Sequence, residues 1–454
     1  MPFAVTLLLA IVSLAAITLS FLVSVFQWES SRLWRKRMRC YDKMRKKRRY
    51  TPRVALLVPV KGLDIGLKEN LAALFRLDYP HYALVFVVES DDDPCVPVID
   101  GLMDQSSVPC RRIVAGIAHD CGQKVHNLRV AASQISSRHE VLAFVDADAR
   151  PHPGWLWMLV CHLEKRTFGR KKRTYGAATG YRWMVPERVS LPNLVLYSVN
   201  SGVAGLLGRH DLNLIWGGSW ALCRNTFEEV GLHDEWHGTL SDDLVAARTL
   251  KRHGMNVYFE PGTLCASHVE VNWLQLLEFV RRQYVIARRY APFHWRWALA
   301  GTTLMQLAFW GNVAAAVGLL ATGRREWMAS AVAALVLYGL TTVRAWYRQD
   351  AARRALPALA AKLRSAAWFD ILASPFVGAV SWLTMLSSAF GDQITWRGVT
   401  YRILPGGQIE LVNRQPLPST DPQEEWATVP FPDPEEADVP RHHPNLGKCK
   451  SAAA

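Results

Sequence analysis

Residues 3–26 contain no charged side chain and end in Phe21-Leu-Val-Ser-Val-Phe26. No other feature restricts the fold as much. A run of that length crosses the ~30 Å hydrocarbon core of a bilayer as a helix, which satisfies every backbone hydrogen bond internally. It is too long for the apolar part of a cleaved signal peptide, and its basic residues follow it rather than precede it. Those residues form an arm, Arg32–Arg49, with eleven Lys/Arg against one acid, Asp42. Positive charge beside a span marks the cytoplasmic side, so the N-terminus is placed outside and residue 50 onward inside. The arm accounts for most of the net charge of +14. Beside a span it reads as a contact for anionic lipid headgroups, not for nucleic acid.

Three more apolar stretches follow residue 297: Ala298–Ala321, Trp327–Val343 and Ala366–Phe390. Simple alternation puts the C-terminal tail outside. Pro375 marks the alternative, a broken or re-entrant hairpin that returns the tail to the cytoplasm. The eight cysteines are scattered without Cys-x-x-Cys or metal spacing, as reduced thiols are. The expected division is a transmembrane helix over 1–28, a basic juxtamembrane arm over 29–51 and a catalytic domain over 52–290. About three membrane helices over 291–392, a short ordered segment over 393–414 and a disordered tail over 415–454 complete a multi-pass membrane protein. The oligomeric state stays open.

The middle alternates strand and helix. Val54–Val60 and Ala83–Val88 are continuous apolar runs, residues 112–115 are a weaker strand, and Val141-Leu-Ala-Phe-Val145 is a fourth. Leu67, Leu71, Leu74 and Phe75 share one helical face between the first two. Such alternation predicts a Rossmann-like, mostly parallel α/β sheet of the nucleotide-binding kind.

Acids end two of these strands: Glu89-Ser-Asp-Asp-Asp-Pro94 and Asp146-Ala-Asp148. Strand ends of parallel sheets lie on one edge, where ligands bind. Asp146 and Asp148 project from the same side of the chain, as hard oxygen ligands for a divalent cation that carries phosphate. A solvated acidic turn is the alternative, and for Asp91–Asp93 a helix N-terminal turn. Further on, Ser241 or Asp242 can cap a helix, with Asp243 in its first turn facing the cleft as a proton acceptor. Trp216-Gly-Gly218 permits close backbone approach, with Trp216 or Trp220 as a wall for sugar; a structural turn competes. The last polar cluster, Arg281–Tyr290, suits a pyrophosphate or, equally, an interfacial helix with snorkelling arginines.

Taken in order with Pro59-Val-Lys-Gly62, Leu77-Asp-Tyr-Pro80 and Gly122-Gln-Lys-Val-His-Asn-Leu128, these motifs resemble the ceramide glucosyltransferase group of the family 2 glycosyltransferases (family 21 type). The resemblance spans about residues 52–290 and continues weakly into Ile394–Arg402. It implies a GT-A fold and a nucleotide-sugar donor, typically UDP-glucose, with Mn²⁺ or Mg²⁺. It implies the metal at Asp148 with Asp146 in support, and the general base at Asp243. Nucleotide and sugar contacts then fall to Glu89 or Asp91, Lys124, Asn127, Asp146, Trp216, Gly218 and Asp242. Two departures stand out. The first acid of the pattern falls on Ser90, which leaves Glu89 or Asp91 to serve. The Gln/Arg-x-x-Arg-Trp motif is broken, since from Gln283 the Arg-Trp positions hold Ile286 and Ala287; Arg282, Gln283 and Arg288 stand in for it. The expected activity is inverting transfer of a hexose, most simply glucose, to the hydroxyl of a membrane lipid such as ceramide. A processive polysaccharide synthase and a catalytically inactive scaffold of the same fold are the alternatives.

Overall fold

The computed structural model describes residues 3–45, 50–164, 167–168, 173–208 and 211–415. The tail expected to be disordered lies, from residue 416, outside the described residues, as do 46–49 of the basic arm.

The catalytic region is built on strands β1 (Val54–Pro59), β2 (Tyr82–Val88), β3 (Cys110–Val114), β4 (Val141–Val145), β5 (Thr167–Phe168), β6 (Arg173–Pro186), β7 (Ser219–Cys223) and β8 (Asn256–Val269). They form one sheet in the order β3-β2-β1-β4-β7-β6-β5, with β8 also paired to β6. The first four strands are parallel, as the alternation with helices requires. β7 then runs antiparallel to both β4 and β6, and β6 and β8 are parallel to each other. This is the GT-A arrangement.

The apolar strands are buried on both faces because successive side chains point opposite ways. Ala55, Leu57, Leu142 and Phe144 enter one core, and Val54, Leu56, Val58, Val141 and Ala143 the other. Phe144 stacks on Trp220 at 4.1 Å, and Trp236 meets both rings edge-on. Burying side chains of this size stabilises the sheet by ~1.5–3 kcal/mol each. The outcome is a rigid edge at the carboxyl ends of β1, β2 and β4, just where the acidic motifs begin.

Among the described residues, three helices are long and apolar enough to cross a membrane: Ala4–Arg37 within Phe3–Arg45, Pro292–Ala321 and Trp327–Ala355. The last apolar stretch is two helices, Arg364–Leu372 and Ser374–Ser387, bent by 81°. Pro375 lies in the first turn of the second, where its missing N–H costs nothing but a continuous helix would lose a bond.

Past the bend the chain forms a small antiparallel sheet, β9 (Gln393–Trp396), β10 (Val399–Ile403) and β11 (Ile409–Arg414). It packs into the catalytic region. Ile394, Val399, Tyr401 and Ile403 join the same core as Leu240 and Tyr290. The Gln123 N–H donates to the Tyr401 hydroxyl (3.1 Å), Tyr290 donates to Gly407 O (2.5 Å), and the Ile409 N–H donates to Gly238 O (3.0 Å). This docking sets residues 393–415 directly against the catalytic region.

Candidate active site

One half of the site is acidic. Asp146 and Asp148 follow β4 directly, and Asp242 and Asp243 open the helix Asp242–Arg252. Ser241 caps that helix, accepting from Leu244 N, a donor it shares with Asp243. Lys124, in the first turn of the helix Gln123–Ser133, reaches across to Asp146 (2.7 Å) and Asp242 (3.1 Å). Burial pulls its ammonium down, but Asp146, Asp242 and Asp243 outweigh that and hold it above the usual lysine value.

Asp243 is fixed on both oxygens. Oδ1 accepts from Ser241 Oγ (2.5 Å) and Leu244 N (2.7 Å), and Oδ2 accepts from Gly217 N (2.9 Å). A side chain at position 217 would crowd Lys124 and the two carboxylates. A Cβ there would lie 2.7 Å from Lys124 Nζ and 3.2 Å from carboxylate oxygens of Asp242 and Asp243. Asp242 is buried, and its Oδ2 has no hydrogen-bond partner. Burial, aided by Asp243 and Asp146, pushes its carboxyl up to about 7 against the pull of Lys124. Burial also raises Asp148 to about 6, with Asp146 and Asp64 adding to it and Arg182 opposing it.

The other half is cationic. Arg182 on β6 approaches Asp148 (3.5 Å), and Arg397, in the turn between β9 and β10, pairs with Asp64. Arg282, on the helix Trp273–Tyr290, lies close enough to both arginines to feel their charge. Burial, then Arg182 and Arg397, lower it to about 10. Aromatic rings separate these groups. Arg182 sits over Trp216 (5.6 Å) and Phe279 (5.1 Å), and Arg282 over Phe279 (5.3 Å) and Trp396 (5.7 Å).

The structure thus brings together Lys124, Asp146, Asp148, Trp216, Gly218, Asp242, Asp243 and Arg282. Gly218 is needed because a Cβ would meet the Trp216 ring at 2.2 Å. Trp220 is in the core, so Trp216 is the available wall. Glu89 lies at the end of β2, held by Lys61 and by Arg414 (2.5 Å).

Four expected residues are not part of this cluster. Asp91 is exposed and paired with Arg112 (2.5 Å) on the neighbouring strand, which leaves Glu89 as the acid at this edge. Asn127 is buried beneath the sheet edge, accepting from Gln123 Nε2 (2.8 Å) and donating to Val87 O (3.4 Å). Arg288 faces the end of the bent pair, donating to Ala389 O and Gly391 O. Gln283 makes no hydrogen bond among the described residues. One helix cannot turn all its polar groups the same way.

Sequence reasoning missed Asp64, Arg182, Arg397 and Arg414. A local signal existed only for Arg397: Arg397-Gly398 fills a two-residue hairpin turn, where Asn-Gly or Asp-Gly is expected.

A divalent cation fits at Asp148. Its Oδ1 is buried without a hydrogen-bond partner, and a hard carboxylate oxygen beside a second carboxylate, Asp146, suits Mn²⁺ or Mg²⁺.

A family model, glycosyl transferase family 21, matches residues 8–409, and the chain belongs to that family. The ceramide glucosyltransferase of Komagataella phaffii (strain GS115) is 27% identical over 132 residues, which are 28% of this chain and 25% of that one. The chain therefore matches about a quarter of the length of that curated relative. Among solved structures, it is similar to a mannosyltransferase from Pyrobaculum calidifontis in complex with GDP-Man and Mn²⁺. That pair shares 17% identity over 83% of this chain and 99% of the other, with a TM-score of 0.41. A glucosyl-3-phosphoglycerate synthase from Mycobacterium tuberculosis, in complex with Mn²⁺ and UDP-glucose, is 13% identical over 53% and 79%, with a TM-score of 0.32.

Proposed function

We propose that this member of glycosyl transferase family 21 is an inverting, metal-dependent enzyme that moves a hexose, glucose first, from a nucleotide sugar to the hydroxyl of a membrane lipid such as ceramide. Asp243 carries the proposal. Three donors fix its carboxylate, and Oδ2, with one donor, keeps a lone pair for an incoming proton. The acceptor oxygen attacks the anomeric carbon as its proton passes to Asp243, and the bond to the diphosphate breaks. Asp148, supported by Asp146, would hold a divalent cation, which would supply positive charge for the departing diphosphate. Lys124 holds Asp146 and Asp242 in place, and Trp216 offers an apolar face to the sugar.

A bilayer acceptor is supported by the join between site and membrane helices, where Tyr284 bonds Ser381 of the bent pair (2.7 Å). On this reading the bent pair dips into the bilayer and returns, leaving both ends of the catalytic unit on the cytoplasmic side with the basic arm. Impermeant labelling of single cysteines placed near residue 50 and near residue 415 should mark both from that side.

The deciding experiment incubates membranes that contain the chain with labelled nucleotide sugars and Mn²⁺, and identifies the product by mass spectrometry. A lipid with one sugar supports the proposal. A polymer would replace it with processive synthesis, and no transfer from any donor would leave a binding protein. Asp243→Asn should lower turnover by ~10²–10⁴ while keeping donor binding; near-normal turnover would remove Asp243 as the base.

A further inference from the structure

We propose that Arg182, Arg282 and Arg397 form a cradle for the diphosphate of the donor, with its third member supplied by the hairpin that follows the membrane segments. The inference rests on the nucleotide-sugar reading above and deepens it.

Three observations converge. The first is the alternation Trp216, Arg182, Phe279, Arg282, Trp396, in which ring centroids lie 5.1–5.7 Å from the guanidinium carbons. Rings hold cations by their faces and leave the N–H edges unspent. Those edges are poorly used: Arg182 Nε is buried with no partner, its bond to Asp148 is 3.5 Å, and the bond from Arg282 to Thr395 O is 3.4 Å. Unsatisfied buried donors of this kind point to an anion.

The second is backbone conformation. Arg397 has φ 52°, the positive φ of a non-glycine residue otherwise absent from the described residues, and Gly398 follows at φ 75°. Such a turn favours Asn or Gly at its first position. Arginine gains nothing there from the backbone, so its presence belongs to its side chain, which is directed to Asp64 beside Asp148.

The third is charge. Asp64 and Asp148 face three guanidiniums. Once Asp148 holds a cation, the arginines lack a counter-charge unless an anion enters with that cation. The flat, forked guanidinium matches phosphate oxygens. A phosphate-bearing lipid shares this chemistry, but the cradle closes on Asp148, where a metal-bound diphosphate would sit.

The test compares full-length protein in detergent with its Arg397→Gly variant, binding UDP and GDP against uridine and guanosine by calorimetry with Mn²⁺. Glycine suits the positive φ, so the hairpin keeps its turn and the melting temperature should hold. The variant should bind the diphosphate about 10–100-fold more weakly, with nucleoside affinity unchanged. Equal diphosphate affinity in wild type and variant would overturn the cradle alone. Wild type that binds no nucleoside diphosphate would overturn the nucleotide-sugar reading with it. If the variant instead loses only binding to phosphatidylglycerol vesicles, relative to phosphatidylcholine vesicles, the cradle belongs to a lipid phosphate and the assignment is overturned.

Discussion

The acidic and cationic halves of the site hold their charges by different means. Asp146 and Asp242 are held by one ammonium, Lys124, and beside them Asp243 is fixed by two backbone N–H groups and a serine. Arg182 and Arg282 are held by the faces of Trp216, Phe279 and Trp396. Hydrogen bonds aim both Asp243 oxygens. Ring faces set a position but let a guanidinium rotate in its plane. The first arrangement suits a proton acceptor and a metal ligand, whose atoms have to be aimed. The second suits gripping an anion whose charge moves during reaction.

The difference can be broken most severely at its acidic side. Asp148→Asn should reduce turnover at least as far as Asp243→Asn, but unlike it should abolish Mn²⁺-dependent donor binding, read by calorimetry with and without the ion. Lys124→Met leaves carboxylates facing each other without a counter-ion. It should destabilise the fold by about 3 kcal/mol, seen as a lowered denaturation midpoint. Phe279→Leu keeps apolar volume but removes the face shared by Arg182 and Arg282. Cation–π contacts of this kind are worth up to ~2 kcal/mol when desolvated, so KM for the donor should rise by up to ~30-fold with kcat and melting little changed. A comparable fall in kcat would blur the distinction.

Proton linkage gives a smaller effect. In the folded chain the Asp148 and Asp242 carboxyls are raised from 3.8 to about 6 and about 7. Between those values the folded state keeps protons that the unfolded state has lost. Their contribution to stability is therefore full below about 4 and declines as pH rises towards 7. Melting of the ligand-free protein followed across that range should show the decline, and Asp242→Asn should flatten it. Smallest of all, Arg288→Lys and Asp91→Asn should leave donor affinity within about twofold, since both side chains point away from the site.

The same contrast explains what could be read in advance. Apolar runs that end in acid announce β2 and β4, and a strand-end position carries its side chain to the ligand edge whatever the rest of the chain does. Asp146 and Asp148 could be placed for that reason, and Asp243 by a different signal, the capping serine that opens its helix. The placing of Asn127 was not legible, because its amide is taken by Gln123 and the Val87 carbonyl, the latter a contact that no local pattern shows. Arg288 is likewise spent on the carbonyls of Ala389 and Gly391, while Arg282 on the same helix reaches Thr395 O. Arg182, mid-strand, and Arg397, beyond the membrane segments, have no local pattern. Their meaning appears only when β6, the helix Trp273–Tyr290 and the C-terminal sheet are packed together.

The N-terminal helix has one more consequence. Its 43 residues extend about 65 Å at ~1.5 Å per residue, roughly twice the thickness of a hydrocarbon core. Eleven positions past Phe26, Arg37 donates to Tyr258 (2.6 Å) on β8 and lies 3.8 Å from buried Glu260, while Trp34 packs on Phe259 (5.5 Å). The catalytic sheet is thereby pinned about 16 Å along the rod from the end of its apolar run. On the proposed function the helix would be a ruler as well as an anchor. It would set the elevation of the active site above the lipid, and an acceptor whose reactive oxygen is confined to a thin layer at the bilayer surface can be met only by an enzyme held at one height.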